Sequence, residues 1–158
     1  MFAASANAGE LIGRVIAVSD GDTVTVVDSS QVQHKVRLAG IDAPEKRQPY
    51  GQRAKQHLSD LVYGKNVAIV WDKRDRYGRI VGRVLAPQCD RVTCRYTIDA
   101  GLEQLKAGYA WHYKQYEKEQ PVDERVRYSA TEQDARSRRE GLWREPDAVP
   151  PWQFRQPG

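Results

Sequence analysis

Three β-prone runs in succession, with only short turns between them, constrain this chain more than any other feature. Leu11 to Val18 alternates its side chains but is apolar on much of both faces, which predicts a largely buried strand. Ser19-Asp20-Gly21-Asp22 predicts a sharp bend, because glycine tolerates positive φ and Asp and Ser form local side-chain bonds. Thr23-Val24-Thr25-Val26-Val27 is a second strand with strong β-branching, and Asp28-Ser29-Ser30 turns the chain. Gln33 to Ile41 is the third strand. Strands joined this tightly form a meander and leave no room for the crossover helix of a βαβ unit.

The third strand runs into the stretch on which the functional reading rests, Val36 to Glu45. Val36, Leu38 and Ile41 are apolar and β-prone, so Arg37 projects from a half-buried surface. Pro44 has no backbone donor and cannot extend a ladder, so the strand ends near Asp42. Asp42 and Glu45 then share a small volume around a proline turn. Two neighbouring acids are costly unless a cation lies between them or one keeps a proton. Arg37 adds a planar five-donor fork suited to phosphate. A hard-metal carboxylate pair beside such an arginine suggests metal-assisted phosphoryl chemistry; the plain alternative is a charged surface turn.

Downstream, Gln52 to Tyr63 predicts a helix, with Ala54, Leu58, Leu61 and Val62 on one face and Gly64 as its stop. Asn66 to Trp71 and Gly78 to Leu85 predict two further strands around a charged connection, Asp72 to Tyr77. A second helix is expected from about Ile98 to Ala107, with Thr97 as its cap. Tyr109 to Tyr113 is an aromatic, extended stretch. A third helix is expected from Val122 to about Arg139, with a thin buried stripe of Val122, Val126, Ala130 and Ala135. Gly141 ends it, and Leu142-Trp143 folds back on the core. Trp152 and Phe154 are expected to pin the tail, and Pro157-Gly158 to be loose. Five short strands followed by helices predict an α+β fold, a small closed OB-type barrel with three appended helices, an architecture that commonly binds oligonucleotides on one face.

The 158 residues suffice for one domain with a real core. The formal charge of +4 permits a polyanionic partner without demanding one. No apolar run approaches the ~20 residues of a membrane-spanning helix, and no membrane partner is expected. Ala6-Asn7-Ala8 fits a signal-peptidase site with cleavage before Gly9. Residues 1–10 therefore read as a signal remnant or a disordered N-terminus, 11–145 as the working domain and 146–158 as a tail. The native chain is expected to be longer upstream, and the protein to be secreted or periplasmic. Cys89 and Cys94, opposed across a hairpin or tight loop, are within reach of a disulfide, in keeping with an oxidising compartment; two free thiols are the alternative.

Three charged blocks in order, Asp20-Gly21-Asp22-Thr23-Val24, Arg37-Leu38 through Asp42-Ala43-Pro44-Glu45, and Asp75-Arg76-Tyr77-Gly78-Arg79, resemble the staphylococcal nuclease (thermonuclease) family. Leu105 to Trp111 and Arg139 to Trp143 resemble further blocks, so the likeness covers roughly Gly13 to Trp143. The resemblance implies a five-stranded OB-type barrel with three helices and a Ca2+-dependent phosphodiesterase acting on DNA and RNA, expected as a monomer. It implies that Asp22, Asp42 and the Ala43 carbonyl hold calcium, that Glu45 is the general base, and that Arg37 and Arg79 grip the scissile phosphate. Tyr77 and Tyr113 are looser matches to tyrosines of the nucleotide pocket, with Tyr116 as the alternative to Tyr113. His34, His57 and His112 lie outside every block and read as surface or packing residues. The segment after Glu45, Lys46 to Gly51, is shorter than the family's loop there, and the Cys89–Cys94 segment is longer. Asp20 is expected to hold the bend. A non-cutting binding module on the same barrel is the rival, although the charged set is whole.

Overall fold

A computed structural model describes residues 9–156, so the signal-like residues 1–8 and the tail end 157–158 lie outside the described part. The meander forms as expected: β1 (Gly9–Asp20), β2 (Thr23–Asp28) and β3 (Gln33–Leu38) pair antiparallel in sequence order. The next strands are β4 (Ile41–Asp42), β5 (Asn66–Arg74), β6 (Ile80–Cys89), β7 (Cys94–Asp99) and β8 (Trp111–His112). β5 pairs with β1 on one side and β6 on the other. β3 then pairs parallel with β6, matching Val36, Arg37 and Leu38 to Ile80, Val81 and Gly82. This contact closes β3-β2-β1-β5-β6 into a ring of five strands, the expected barrel, with β7 continuing outside it as a hairpin arm.

The ring is filled by side chains such as Val24, Val26, Val36, Ile69, Ile80 and Val84, all fully buried. Three helices cover it: α1 (Gly51–Val62), α2 (Ala100–Lys106) and α3 (Val122–Ser137). A short turn of helix, α4 (Pro151–Phe154), follows. α1 buries Ala54, Leu58 and Val62 on one side, as its apolar spacing predicts. Among the described residues no helix is long and apolar enough to cross a membrane.

Several boundaries differ from expectation for physical reasons. β1 is half-buried and not largely buried: Gly13 and Val15 face inward, while Ile12 is 48% exposed, because only one face of a barrel strand meets the core. β3 stops at Leu38, since Gly40 takes φ +82 and breaks the ladder; Ile41 and Asp42 pair instead with His112 and Trp111. Ile98 belongs to β7, and Asp99, not Thr97, caps α2 by accepting from the Leu102 N–H. The stripe of α3 is also displaced: Ala135 is buried as expected, but Val122 and Val126 are more than 60% exposed, Ala130 is exposed, and Tyr128 and Glu132 are buried in their place. Tyr128 donates to Asp99 at 2.6 Å, so this face is bound to the barrel by an aromatic ring and a hydrogen bond in place of valines. Cys89 and Cys94 stand opposite each other across the β6–β7 hairpin and form a disulfide.

Candidate active site

The bend between β1 and β2 builds the first part of the site. Gly21 is obligatory there: a Cβ would come within 2.7 Å of the Ala43 and Ala54 methyl groups. The Asp22 N–H donates to Asp20 Oδ1 at 3.0 Å, which fixes the bend, as expected of Asp20. Asp22 points inward. Its Oδ2 accepts from the Ala43 N–H at 2.8 Å and its Oδ1 from Thr23 Oγ1 at 3.0 Å. The Ala43 backbone is thus locked beside the Asp22 carboxylate.

Arg37 lies opposite Thr23 on β3 and reaches the same place. Its Nη1 donates to the Leu38 and Ile41 carbonyls at 2.7 and 2.9 Å. Its Nη2 lies 3.4 Å from Asp22 Oδ2 and 3.3 Å from Asp42 Oδ1. One guanidinium therefore spans a carboxylate of the β1–β2 bend and one of β4, and the carbonyls hold it in position. Asp42 owes its place to β8, which pairs Trp111 with it, and the Tyr113 N–H adds a bond to the Gly40 carbonyl at 2.9 Å.

Glu45 begins a tight loop. Gln48 closes it twice, its side chain accepting from the Glu45 N–H and its own N–H donating to the Glu45 carbonyl. Gly51 is needed where the loop enters α1, because a Cβ there would overlap the Glu45 carbonyl. The Gln48 amide also donates to the Val149 carbonyl, tying this loop to the tail. The tail supplies a residue that no sequence motif marks: Arg155. Its Nη1 donates to Glu45 Oε1 at 2.6 Å and Asp42 Oδ1 at 3.1 Å, and its Nη2 to Asp42 Oδ2 at 2.7 Å. A cleft of about 310 Å³ opens here, lined by Asp20, Glu45, Lys46, Arg47, Phe154 and Arg155.

The acids feel this crowding. Burial, reinforced by the Asp22 charge, pushes the Asp20 carboxyl up to about 7. Burial works against ionised Asp22 too, but Arg37 and the hydrogen bonds it accepts outweigh that and hold it below the usual carboxylate range. Burial leaves Asp42 above its usual range despite Arg155 and Arg37. Burial, more than mutual repulsion, raises Asp20 and Asp42, and Arg37 and Arg155 are the cations that face this group of acids.

Arg79 is not in contact with these carboxylates. Its Nε donates to Asp75 Oδ2 at 2.7 Å, and its guanidinium carbon lies 5.6 Å from the Tyr77 ring centre. Asp75 also accepts from the Tyr77 and Arg79 N–H groups, so this one carboxylate shapes the β5–β6 turn. Arg79 immediately precedes β6, two residues before Val81, the partner of Arg37. Tyr77 is 71% exposed beside it. Tyr113 lies close enough to Asp42 to feel its charge, and its ring stacks on Trp152 with centres 5.5 Å apart and planes 6° from parallel. Tyr116 meets Tyr113 edge-on and lies farther out, 47% exposed.

Two supporting residues were invisible in the sequence. Gln104 of α2 is fully buried and donates to the Gly21 and Ala54 carbonyls at 2.7 and 2.9 Å, and its oxygen pairs with His57. Glu132 of α3 is buried and accepts from the His112 N–H at 2.6 Å, which steadies the strand that pairs with Asp42. The histidines are packing or ion-pairing residues: His34 pairs with Asp28, His57 with Gln104, and His112 with Gln120.

A family model described as "Staphylococcal nuclease homologue" matches residues 35–145. An "Uncharacterized endonuclease" of Escherichia coli is 40% identical over 146 residues, covering 92% of this chain and 86% of the relative. A "Micrococcal nuclease" of Shigella flexneri is 38% identical over 144 residues, covering 91% and 80%. "Protein ParB" of Escherichia coli is 39% identical over 150 residues, covering 93% and 80%. With the five-stranded ring, the ordered charged blocks and these identities together, the chain belongs to the staphylococcal nuclease family.

Proposed function

We propose that this protein is a calcium-dependent, sugar-non-specific nuclease that hydrolyses phosphodiester bonds of DNA and RNA. The observation that carries the reading is that Asp22 and Asp42 each place a carboxylate oxygen within 3.4 Å of the Arg37 guanidinium, with Glu45 joined to Asp42 through a shared cation, the Arg155 guanidinium. The names of the relatives, an endonuclease and a micrococcal nuclease, support the reaction class.

The donor set suits a hard divalent ion. Among the described residues no three His, Cys, Asp or Glu side chains form a ready ligand group. Asp22 and Asp42 would hold the ion, with the Ala43 carbonyl as third protein oxygen and water completing the shell. Bound there, calcium would offset the negative charge of a phosphodiester that otherwise repels an anionic nucleophile such as hydroxide. Glu45 accepts the proton of that water as its oxygen bonds to phosphorus. One P–O ester bond breaks, and the departing oxygen takes a proton from solvent. Arg37, pre-oriented by two carbonyls, donates to the phosphate oxygens as their charge grows. Arg79 does the same from the opposite side after exchanging Asp75 for phosphate. Tyr77 and Tyr113 offer ring faces to bases, and stacking tolerates any base. Phosphate contacts carry no base information, so sequence preference is weak. The disulfide between Cys89 and Cys94 supports a secreted or periplasmic site of action.

Labelled single-stranded DNA and RNA, incubated with the protein in calcium and in chelator, test the reading. Cleavage of both, abolished by chelator, is expected. Undiminished cleavage in chelator rejects the metal, and no cleavage in calcium favours a binding module.

A further inference from the structure

Pro150 to Gln156 crosses the mouth of the site, and two of its side chains lie where ligands of the proposed reaction would lie. Arg155 makes three charge-assisted hydrogen bonds, two to Asp42 and one to Glu45. Trp152 lies flat on Tyr113, the face otherwise available to a base, and meets Trp111 edge-on at 5.6 Å. Behind them Pro151 is buried, and the Gln48 side chain holds the Val149 carbonyl. The segment is one helical turn long and Arg155 keeps 40% of its side-chain surface exposed, so its hold is local and reversible.

We propose that this segment is an autoinhibitory latch that competes with the divalent cation for Asp42 and with a base for Tyr113. The inference rests on the hydrolytic reading above. Formal charges give the direction of the competition. Within the set that the two guanidinium groups join directly, Asp22, Asp42 and Glu45 bring three negative charges, and Arg37 and Arg155 bring two positive ones. Remove Arg155 and two negative charges are left over, the complement of one divalent ion. Arg155 meets half of that demand, so it excludes the cation at low concentration and yields to it at high concentration. Once Asp42 turns to the cation, Arg155 keeps only its bond to Glu45, and the hold on the segment falls to that bond, the Trp152 stack and the buried Pro151. Cation arrival and opening of the base platform are thereby coupled, because one short turn carries both side chains.

The test is calorimetric titration of the full chain with calcium chloride, without nucleic acid, for wild type, Arg155→Gln and Trp152→Ala. Both variants are expected to bind calcium at least tenfold more tightly, a change of about 1.4 kcal/mol. In wild type, calcium is expected to shift the tryptophan emission to the red as Trp152 leaves its stack, and Trp152→Phe to abolish that shift. Trp152→Ala carries the test alone if Arg155→Gln does not fold. Calcium affinities within twofold of wild type, or weaker, in the variants overturn the latch; if cleavage still needs calcium, the hydrolytic reading survives. Absence of calcium binding in every protein, with cleavage intact in chelator, overturns the latch and the calcium dependence while hydrolysis stands.

Discussion

Gln104→Leu removes the hydrogen bonds that join α2 to the Asp20–Asp22 bend and to α1. The side chains are similar in size, so little cavity results and the cost is polar. Nε2 donates to the Gly21 carbonyl at 2.7 Å and the Ala54 carbonyl at 2.9 Å, in a fully buried position. Ala54 lies inside α1, where the helix supplies its own donor, so the loss concentrates at Gly21. A buried carbonyl left dry costs about 1–3 kcal/mol, and the broken pairings to Ala54 and His57 add to it. A loss of about 3 kcal/mol is expected, which for a chain of this length lowers the melting temperature by about 6–12 °C. Urea denaturation followed by circular dichroism reads the change, with an unaltered slope as the check that the unfolded state is comparable. Because Gly21 separates Asp20 from Asp22, calcium affinity should fall with stability. A loss under about 1 kcal/mol would show that water or a shifted backbone replaces the amide, and would refute the claim that Gln104 holds the bend.

Arg37→Ala and Glu45→Ala are each expected to lower kcat on single-stranded DNA by about a hundredfold or more, with a smaller effect on binding; wild-type turnover in either removes that residue from the chemistry. Asp75→Asn should release Arg79 from its 2.7 Å partner and loosen the turn, at a cost of about 1 kcal/mol after allowance for solvent screening. Burial opposes the charge on Asp75, but Arg79 and two backbone N–H groups hold its carboxyl below the ordinary range. The stability Asp75 contributes is therefore present above the unfolded value near 3.8 and is lost as pH falls through the lower folded value. The wild type and Asp75→Asn should accordingly converge in acid; a gap that widens there contradicts the pairing. Reducing Cys89–Cys94 should cost about 2 kcal/mol by loop-closure entropy, since the loop is short, and leave cleavage intact, because the arm lies outside the closed ring.

The barrel was legible because β-branched residues are dense in Thr23–Val27 and because Asp-Gly and Ser-rich turns separate the strands. Arg37, Asp42 and Glu45 were legible because Pro44 forces the chain to turn where they cluster. Other features depend on tertiary contacts that periodicity does not encode. Valines at positions 122 and 126 look like core on a helical wheel, yet α3 docks through Tyr128 and Glu132, whose hydroxyl and Oε2 find buried partners in Asp99 and the His112 backbone. Ile98 continues a helical pattern and is claimed instead by pairing with Ala86 across the β6–β7 hairpin. Trp152 was legible as a pin for the tail, whereas Phe154 is 43% exposed. Arg155 carries no signal at all, because its meaning comes from acids more than a hundred residues away.

The central claim is that acids and arginines from distant strands share one divalent ion and one phosphate. A crystal of this protein grown with manganese and a nuclease-resistant dinucleotide tests it, using the anomalous signal of the metal. The account predicts a metal peak roughly 2.0–2.6 Å from carboxylate oxygens of both Asp22 and Asp42, with Arg155 displaced and the phosphate held between Arg37 and Arg79. A metal bound elsewhere, or a phosphate beyond the reach of Arg79, would contradict it.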